Sequence, residues 1–357
     1  MQKKDYSVTI AKGIAIILMV LGHSGCYKFV NNYIFLFHMP VFFFMSGYCF
    51  KSIYLDDVKT FCRKRIKGAY VPYVKWSIVF ILLHNILLNA NILSDTIPYH
   101  GNVQSFYTYR DVLNHTIKAF LMTGTEQLLG GFWFLKSLLW GSFIFVFTRK
   151  IIKSPIYGAI VLFASSIILV MFKVKLPGVH IGYIDFFAAF FIMIGHCFRN
   201  AKYKGMQLLD YLSSNTFFAI ALFCFIGIGS VCWPSTMLNI EWLQVLPYSL
   251  TAIAGSILLY SLGSHLSHVH VSHISSLLNK ILVFIGNNTL YIFIWHFLSM
   301  KITTMLIIVI YGLDIETLGT FPVLEEYSLK GWWLLYLLVG VGLPSLGALF
   351  FNKIKKQ

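Results

Sequence analysis

Apolar residues gather along this chain in runs long enough to cross a bilayer. Such runs can be placed near 12–30, 33–50, 70–93, 131–148, 155–172, 181–198, 211–231, 243–262, 281–310 and 331–351. They predict an all-α polytopic integral membrane protein of about ten transmembrane helices. The ninth run is long enough to tilt, to break or to be two pieces. Residues 105–125 are too polar to span, and an interfacial or re-entrant helix suits them better. No internal repeat or low-complexity segment interrupts the pattern, so the expectation is a single domain over 1–357.

The polar gaps set an orientation. Of the 28 Lys and Arg, eighteen fall in alternate gaps: 1–11, 51–69, 149–154, 199–210, 263–280 and 352–357. Six fall in the other gaps, and Lys12, Lys75, Lys136 and Lys301 lie in or at the ends of spans. Cytoplasmic loops carry the excess of Lys and Arg, so both termini are predicted to be cytoplasmic. The opposite 311–330 loop carries Asp314, Glu316, Glu325 and Glu326.

Composition agrees with a membrane class: 58% hydrophobic and 11% charged, where soluble domains carry about 25% charged residues. A net charge of +15 could suggest nucleic acid. The cations instead sit in short clusters between apolar spans, so the partner they imply is a lipid bilayer and not a nucleic acid. The first run lacks an A-x-A-like cleavage site and continues as a full span, which argues against a removed signal peptide. Six cysteines show no C-x-x-C spacing. Cys26 and Cys232 both fall on the predicted outer side, where a disulfide is conceivable without further support. Nothing in the pattern assigns an oligomeric state.

The candidate chemistry is concentrated in residues 5–50. His23 lies in the first run and His38 in the second, where lipid-facing helices carry no ionisable group; such groups face a cavity or a protein partner by default. Lys12 opens the first run. Eleven residues separate it from His23, roughly 16 Å along a helix at 1.5 Å per residue. An acyl transfer to a hydroxyl needs a base, and imidazole titrates near neutrality; the competing reading of His23 is a histidine hydrogen-bonded for packing. For Lys12 the alternatives are an interfacial anchor or a grip on a phosphate or amide. His38 stands before Met39-Pro40, and the proline removes a backbone donor and frees a carbonyl, a break tolerated where it lines a cavity. His38 could orient an acceptor or assist His23, or be a satisfied core histidine. Ser46 and Tyr48 close that run with polar contacts around Gly47.

Four further groups stand out. Arg63, Lys64 and Arg65 form the densest basic cluster, with Lys67 beside them. Trp133 opens the fourth run, as interfacial belt or as a platform for a sugar face. Asn288 and His296 in the ninth run are eight residues apart, about two turns on one helix face. A histidine-rich stretch, His265, His268, His270 and His273, is read as a solvated loop rather than zinc, so no metal is expected.

KGIAIILMVLGHS (12–24) resembles the opening signature of the membrane-bound acyltransferase-3 family: a basic residue, ten residues, then histidine. FHMPVFFFMSGY (37–48), FWFLKSLLW (132–140) and GNNTLYIFIWH (286–296) are similar to that family's later motifs. The resemblance implies transfer of acyl groups, usually acetyl from acetyl-CoA, onto sugars and other surface molecules. It implies His23 as the catalytic imidazole, with His38 carried beside it from the reading of the residues, and donor contact by Arg63, Lys64 and Arg65, since the family places a basic motif before a Pro-Tyr like Pro72-Tyr73, with Lys12 added from its spacing to His23. It leaves acceptor contact to Ser46, Tyr48, Trp133, Asn288 and His296. One departure is visible: where the family often has Asp three residues before the basic residue, this chain has Thr9.

Two function classes follow. The first is a membrane O-acetyltransferase moving acetyl from cytoplasmic acetyl-CoA to a cell-surface glycan or glycolipid acceptor, with His23 as base or transient acetyl carrier, in a multi-pass location in the plasma membrane (the cytoplasmic membrane of a bacterium). The second is a transporter or flippase for a lipid-linked sugar or small solute, whose intramembrane carboxylate would be Asp185.

Overall fold

The computed structural model describes residues 6–99, 101–174, 180–203, 215–268 and 273–354. Lys3, Lys4, Lys175, Lys204, Lys355, Lys356 and His270, which entered the charge and histidine counts above, lie outside the described residues. Every regular element among the described residues is helical, apart from isolated bridges at Tyr99–Asn102 and Thr236–Asn239. The first helices are α1 (Ser7–Gly22), α2 (Lys28–Phe35), α3 (His38–Tyr48), α4 (Val58–Arg65), α5 (Val71–Asn89), α6 (Tyr109–Phe120) and α7 (Trp133–Ile151). Then come α8 (Pro155–Phe172), α9 (Tyr183–Tyr203), α10 (Thr216–Cys232), α11 (Val245–His268), α12 (His273–Asn287), α13 (Thr289–Tyr311) and α14 (Trp333–Ile354).

Eight helical segments among the described residues are long and apolar enough to cross a membrane, so the chain is an all-α multi-pass membrane protein. The expected count of ten is not reproduced by that measure. Ser7–Gly22 and Thr216–Cys232 are apolar but shorter, and the long ninth run divides into Ser276–Asn287 and Thr289–Tyr311. Large apolar side chains such as Phe147, Phe172, Phe217, Phe223 and Phe350 are exposed, as helices facing lipid require. The polar 105–125 stretch forms α6, a twelve-residue helix closed at its start by a capping box in which the Thr108 hydroxyl accepts from Asp111 N–H and the Asp111 carboxylate accepts from Thr108 N–H.

The chain divides into two compact units. One comprises 1–19, 29–71 and 133–287; the other comprises 20–28, 72–132 and 288–357. In the first, α9 packs on α3, α7 and α8, while α11 packs on α10 and α3. Helices α3 and α9 meet backbone to backbone. A Cβ at Gly47 would land on the carbonyl oxygen of Ile192, and one at Gly195 on that of Phe44. Without a hydrophobic force between helices in lipid, such small-residue contacts supply the dispersion that holds them. In the second unit, α13 and α14 form the main pair.

The proline of the second apolar run comes with the break expected one turn back. The break falls before it: α2 ends at Phe35, Phe37 is non-helical, and Pro40 sits in the first turn of α3, where no intrahelical donor is needed. His38 Nδ1 donates at 3.0 Å to the carbonyl of Ile34, which also accepts from Phe37 N–H at 3.1 Å, closing the turn after α2.

Candidate active site

In the second unit the first apolar run stops earlier than its pattern suggests. Helix α1 ends at Gly22, so His23 stands on the following turn, its N–H donating to Val20 O at 3.1 Å. Gly25 makes this turn possible. Its φ is +71°, and a Cβ there would meet Ser328 and Val323 at under 3 Å. The turn delivers the half-buried His23 ring to α13. Its centroid is 5.7 Å from that of His296, and Phe297 packs against both, 5.0 Å from His23 and 4.0 Å from His296. His296 is 1% exposed, and its Nδ1 donates to Phe293 O at 2.9 Å. Phe293 stacks in turn on Phe132, and Trp295 packs on Trp76 and Phe80. Asn288 stands buried at the N-cap of α13, two turns before His296 as its spacing predicts.

Lys301 lies one turn beyond Phe297 and is 4% exposed. No carboxylate of the described residues pairs with it. Its ammonium donates to the carbonyls of Leu318 and Thr320, both at 2.8 Å, which ties the 315–321 segment to α13. Phe321 of that segment packs on Phe297 at 4.7 Å, so the segment backs the aromatic ring that the two imidazoles share.

A second polar cluster in this unit was not singled out in the sequence. His84, with 0% exposure, bonds Glu126 Oε2 through Nδ1 at 2.8 Å and Ser105 O through Nε2 at 3.0 Å. A carbonyl only accepts, so Nε2 carries a proton. Tyr107 stacks on His84 at 3.5 Å and donates to Glu126 Oε1 at 3.1 Å. His115, on α6, closes the group beside Tyr107, and burial holds its imidazole below the usual histidine range. Forty-two positions separate His84 from Glu126, so no local motif could announce the pair. The only hint was a lone carboxylate, Glu126, in the apolar TGTEQLLGGF stretch.

The first unit holds the other expected residues. Arg65 Nη2 donates to Ser46 Oγ at 2.6 Å, and its guanidinium lies 5.2 Å from the Phe61 ring. Arg199, which the sequence reading passed over, donates to Tyr48 O at 2.8 Å, while the Tyr48 hydroxyl meets that of Tyr260 at 2.7 Å. The C-terminal end of α3, Ser46 to Tyr48, is thus gripped by two guanidinium groups. Lys64 donates to the exposed Tyr54 hydroxyl at 2.6 Å, which draws that phenol below its usual range, and Arg63 is exposed. These basic residues close α4 where the backbone widens into a π turn over Ile66–Tyr70. Lys12 and Trp133 are each half-buried, on α1 and at the first position of α7. His38 is buried, with its Nδ1 donating to Ile34 O as described.

Asp185 has a structural task as well. Its carboxylate accepts from Gly182 N–H at 2.8 Å and Ser137 Oγ at 2.9 Å, capping the start of α9. Among the described residues no cluster of three His, Cys, Asp or Glu could hold a metal ion, His265 and His268 included.

Two comparisons bear on what this arrangement does. The family described as Acyltransferase domain matches residues 5–351, nearly the whole chain. The chain is also similar to "Nodulation protein NolL" of Sinorhizobium fredii (strain NBRC 101917 / NGR234), 26% identical over 187 residues. That alignment spans 48% of this chain and 43% of the relative, so the chain covers less than half of the relative's length. No solved structure matches.

Proposed function

Since the chain belongs to the Acyltransferase domain family, we propose that it is a membrane O-acyltransferase, moving acetyl from cytoplasmic acetyl-CoA to a hydroxyl of a cell-surface glycan or lipid-linked sugar. The observation that carries the reading is the imidazole pair: His23 and His296, from distant parts of the chain, meet at 5.7 Å over a shared phenylalanine. His23 is the reactive imidazole, as base on the acceptor hydroxyl or as transient acetyl carrier. The donor's phosphates fall to Arg63, Lys64 and Arg65, and its amide arm to Lys12. Arg65 suits the part, since its guanidinium is met by a neutral hydroxyl rather than a carboxylate and guanidinium pairs bidentately with phosphate. Ser46, Tyr48, Trp133 and Asn288 contact the acceptor. The whole chain acts as one transferase domain with both termini inside.

The test is thiol release from acetyl-CoA by the purified protein in lipid nanodiscs, with a panel of sugar and glycolipid acceptors. Acceptor-dependent release that His23→Gln removes supports the reading; no release above background with any acceptor, from a protein that binds acetyl-CoA, would sink it. Cysteine labelling in intact cells checks the orientation: the 311–330 loop should label and the 51–69 loop should be protected.

A further inference from the structure

His23 and His296 differ in their surroundings, and the difference assigns them different work. His296 is the more deeply buried. Its Nδ1 faces the carbonyl oxygen of Phe293 at 2.9 Å. A carbonyl oxygen accepts and cannot donate, so Nδ1 carries the proton, and the lone pair of the neutral ring is on Nε2. That nitrogen is buried and makes no hydrogen bond to any described residue. A buried acceptor without a donor is costly, and the large majority of buried polar atoms have one. Nε2 is therefore a base nitrogen whose tautomer is set from behind, in a wall of Phe293 and Phe297, beside His23. Catalytic bases are found in this arrangement: one ring nitrogen held by a fixed acceptor, the other kept for the reacting proton.

The inference rests on the acyltransferase reading above. We propose that Nε2 of His296 takes the proton from the acceptor hydroxyl, and that His23 carries the acyl group between donor and acceptor. In the first half-reaction a ring nitrogen of His23 attacks the thioester carbonyl carbon of acetyl-CoA. A C–N bond forms, the C–S bond breaks, and the sulfur leaves with the electron pair and takes the proton from the other ring nitrogen of His23. In the second half the acceptor oxygen gives its proton to His296 Nε2 and attacks the same carbon. The C–O bond forms, the C–N bond breaks, and the electron pair returns to His23. The proton on His296 then passes to the His23 ring, which leaves both rings neutral. Two imidazoles thus divide two roles that a single His23 would have to play in turn.

The test separates the half-reactions in the full-length protein, using acetyl-CoA as donor, octyl glucoside as hydroxyl acceptor and hydroxylamine as an acceptor that needs no base. His296→Asn keeps an amide N–H near the Nδ1 position and removes Nε2. It should release a stoichiometric burst of thiol and accumulate acetyl on the protein. It should pass acetyl to hydroxylamine within about threefold of the wild-type rate, while transfer to octyl glucoside falls about 10²–10⁴-fold. His23→Gln should lose the burst and both transfers. A His296→Asn protein that serves both acceptors within about tenfold of wild type, or one slowed equally toward both, overturns the assignment, the second result placing His296 in packing alone. A wild-type protein that releases no thiol with any acceptor would instead remove the acyltransferase reading underneath.

Discussion

The two units differ in how the polar groups of their candidate sites are held, although the first also buries His38, Asp185 and His196. In the first, the notable cations are near the ends of helices and half-exposed. Arg65 and Arg199 reach back to the last turn of α3, and Lys64 lies outside against Tyr54. In the second, the polar groups are inside: His296, Lys301, His84 and Glu126 are each 5% exposed or less. Charge that stays half-wet attracts a charged ligand at little cost in folding, and its effect fades with salt. A buried polar group must be satisfied by its neighbours, so it is placed sharply and is costly to disturb. The first arrangement suits capture of a polyanion; the second suits chemistry that needs atoms held in place.

Substitutions can break or sharpen that contrast. The largest effect is expected at His23. His23→Gln should lower transfer by at least about a hundredfold while the protein stays folded, because the side chain is half-buried and glutamine keeps a hydrogen-bonding group. Turnover in the nanodisc assay, set beside a thermal unfolding curve, checks it. Retention of a tenth of the activity would end the claim that this unit holds the chemistry.

Lys301→Met comes next and reads out in stability rather than rate. The buried carbonyl of Leu318 and the part-buried one of Thr320 lose their donor, at about 1–3 kcal/mol for the buried one before relaxation. Thermal unfolding in detergent should fall by several degrees. Lys301→Arg, which keeps the charge with a different shape, should recover part of the loss. An unchanged melting point would show that the 315–321 segment does not depend on this tie.

On the first unit, replacing Arg63, Lys64 and Arg65 by glutamine should raise the KM for acetyl-CoA about tenfold, leave kcat within about threefold, and flatten the dependence of KM on ionic strength. Saturation kinetics at two salt concentrations would decide. A fall in kcat with KM unchanged would place these residues with the chemistry and erase the contrast.

The smallest effect concerns pH. Burial lowers the pKa of His115 in the folded protein, so below the ordinary histidine value near 6.5 the unfolded chain binds the proton more readily. Stability therefore rises with pH through this window and is lost as pH falls below it. The protection of α6 amides from hydrogen exchange, corrected for the intrinsic rate at each pH, should be lower at pH 5 than at pH 7, and His115→Gln should narrow that gap. The effect is modest because the imidazole is partly exposed.

Much of the fold was legible because bilayer thickness imposes its length on the sequence. Of the apolar runs, those near 70–93, 131–148, 155–172 and 243–262 each fall on a candidate span. The failures occur where one residue decides the backbone. Gly25 ends α1 before His23, and nothing in the apolar pattern distinguishes it from the glycines that merely pack. Pro40 advertised a break one turn back, and α2 does end at Phe35. His23 and His296 stood out because ionisable groups are rare in such runs. Their meeting, like that of His84 with Glu126, is a tertiary event between residues far apart in the chain, which local spacing cannot encode. Lys301 was visible as a cation in a span, but its carbonyl partners were not, since backbone acceptors carry no signature in the letters.

The cap at the start of α9 has a consequence for how the cycle is driven. Asp185 accepts from Gly182 and Ser137, one bond to each carboxylate oxygen, so the carboxylate best placed in the sequence to load and release ions also holds the start of α9. A thioester donor brings its own free energy, and a cycle powered that way has no need of a gradient. In sealed proteoliposomes supplied with acetyl-CoA, ionophores that collapse the proton and sodium gradients should leave acetylation unchanged, so the protein would keep modifying its acceptor in a de-energised cell for as long as the donor lasts.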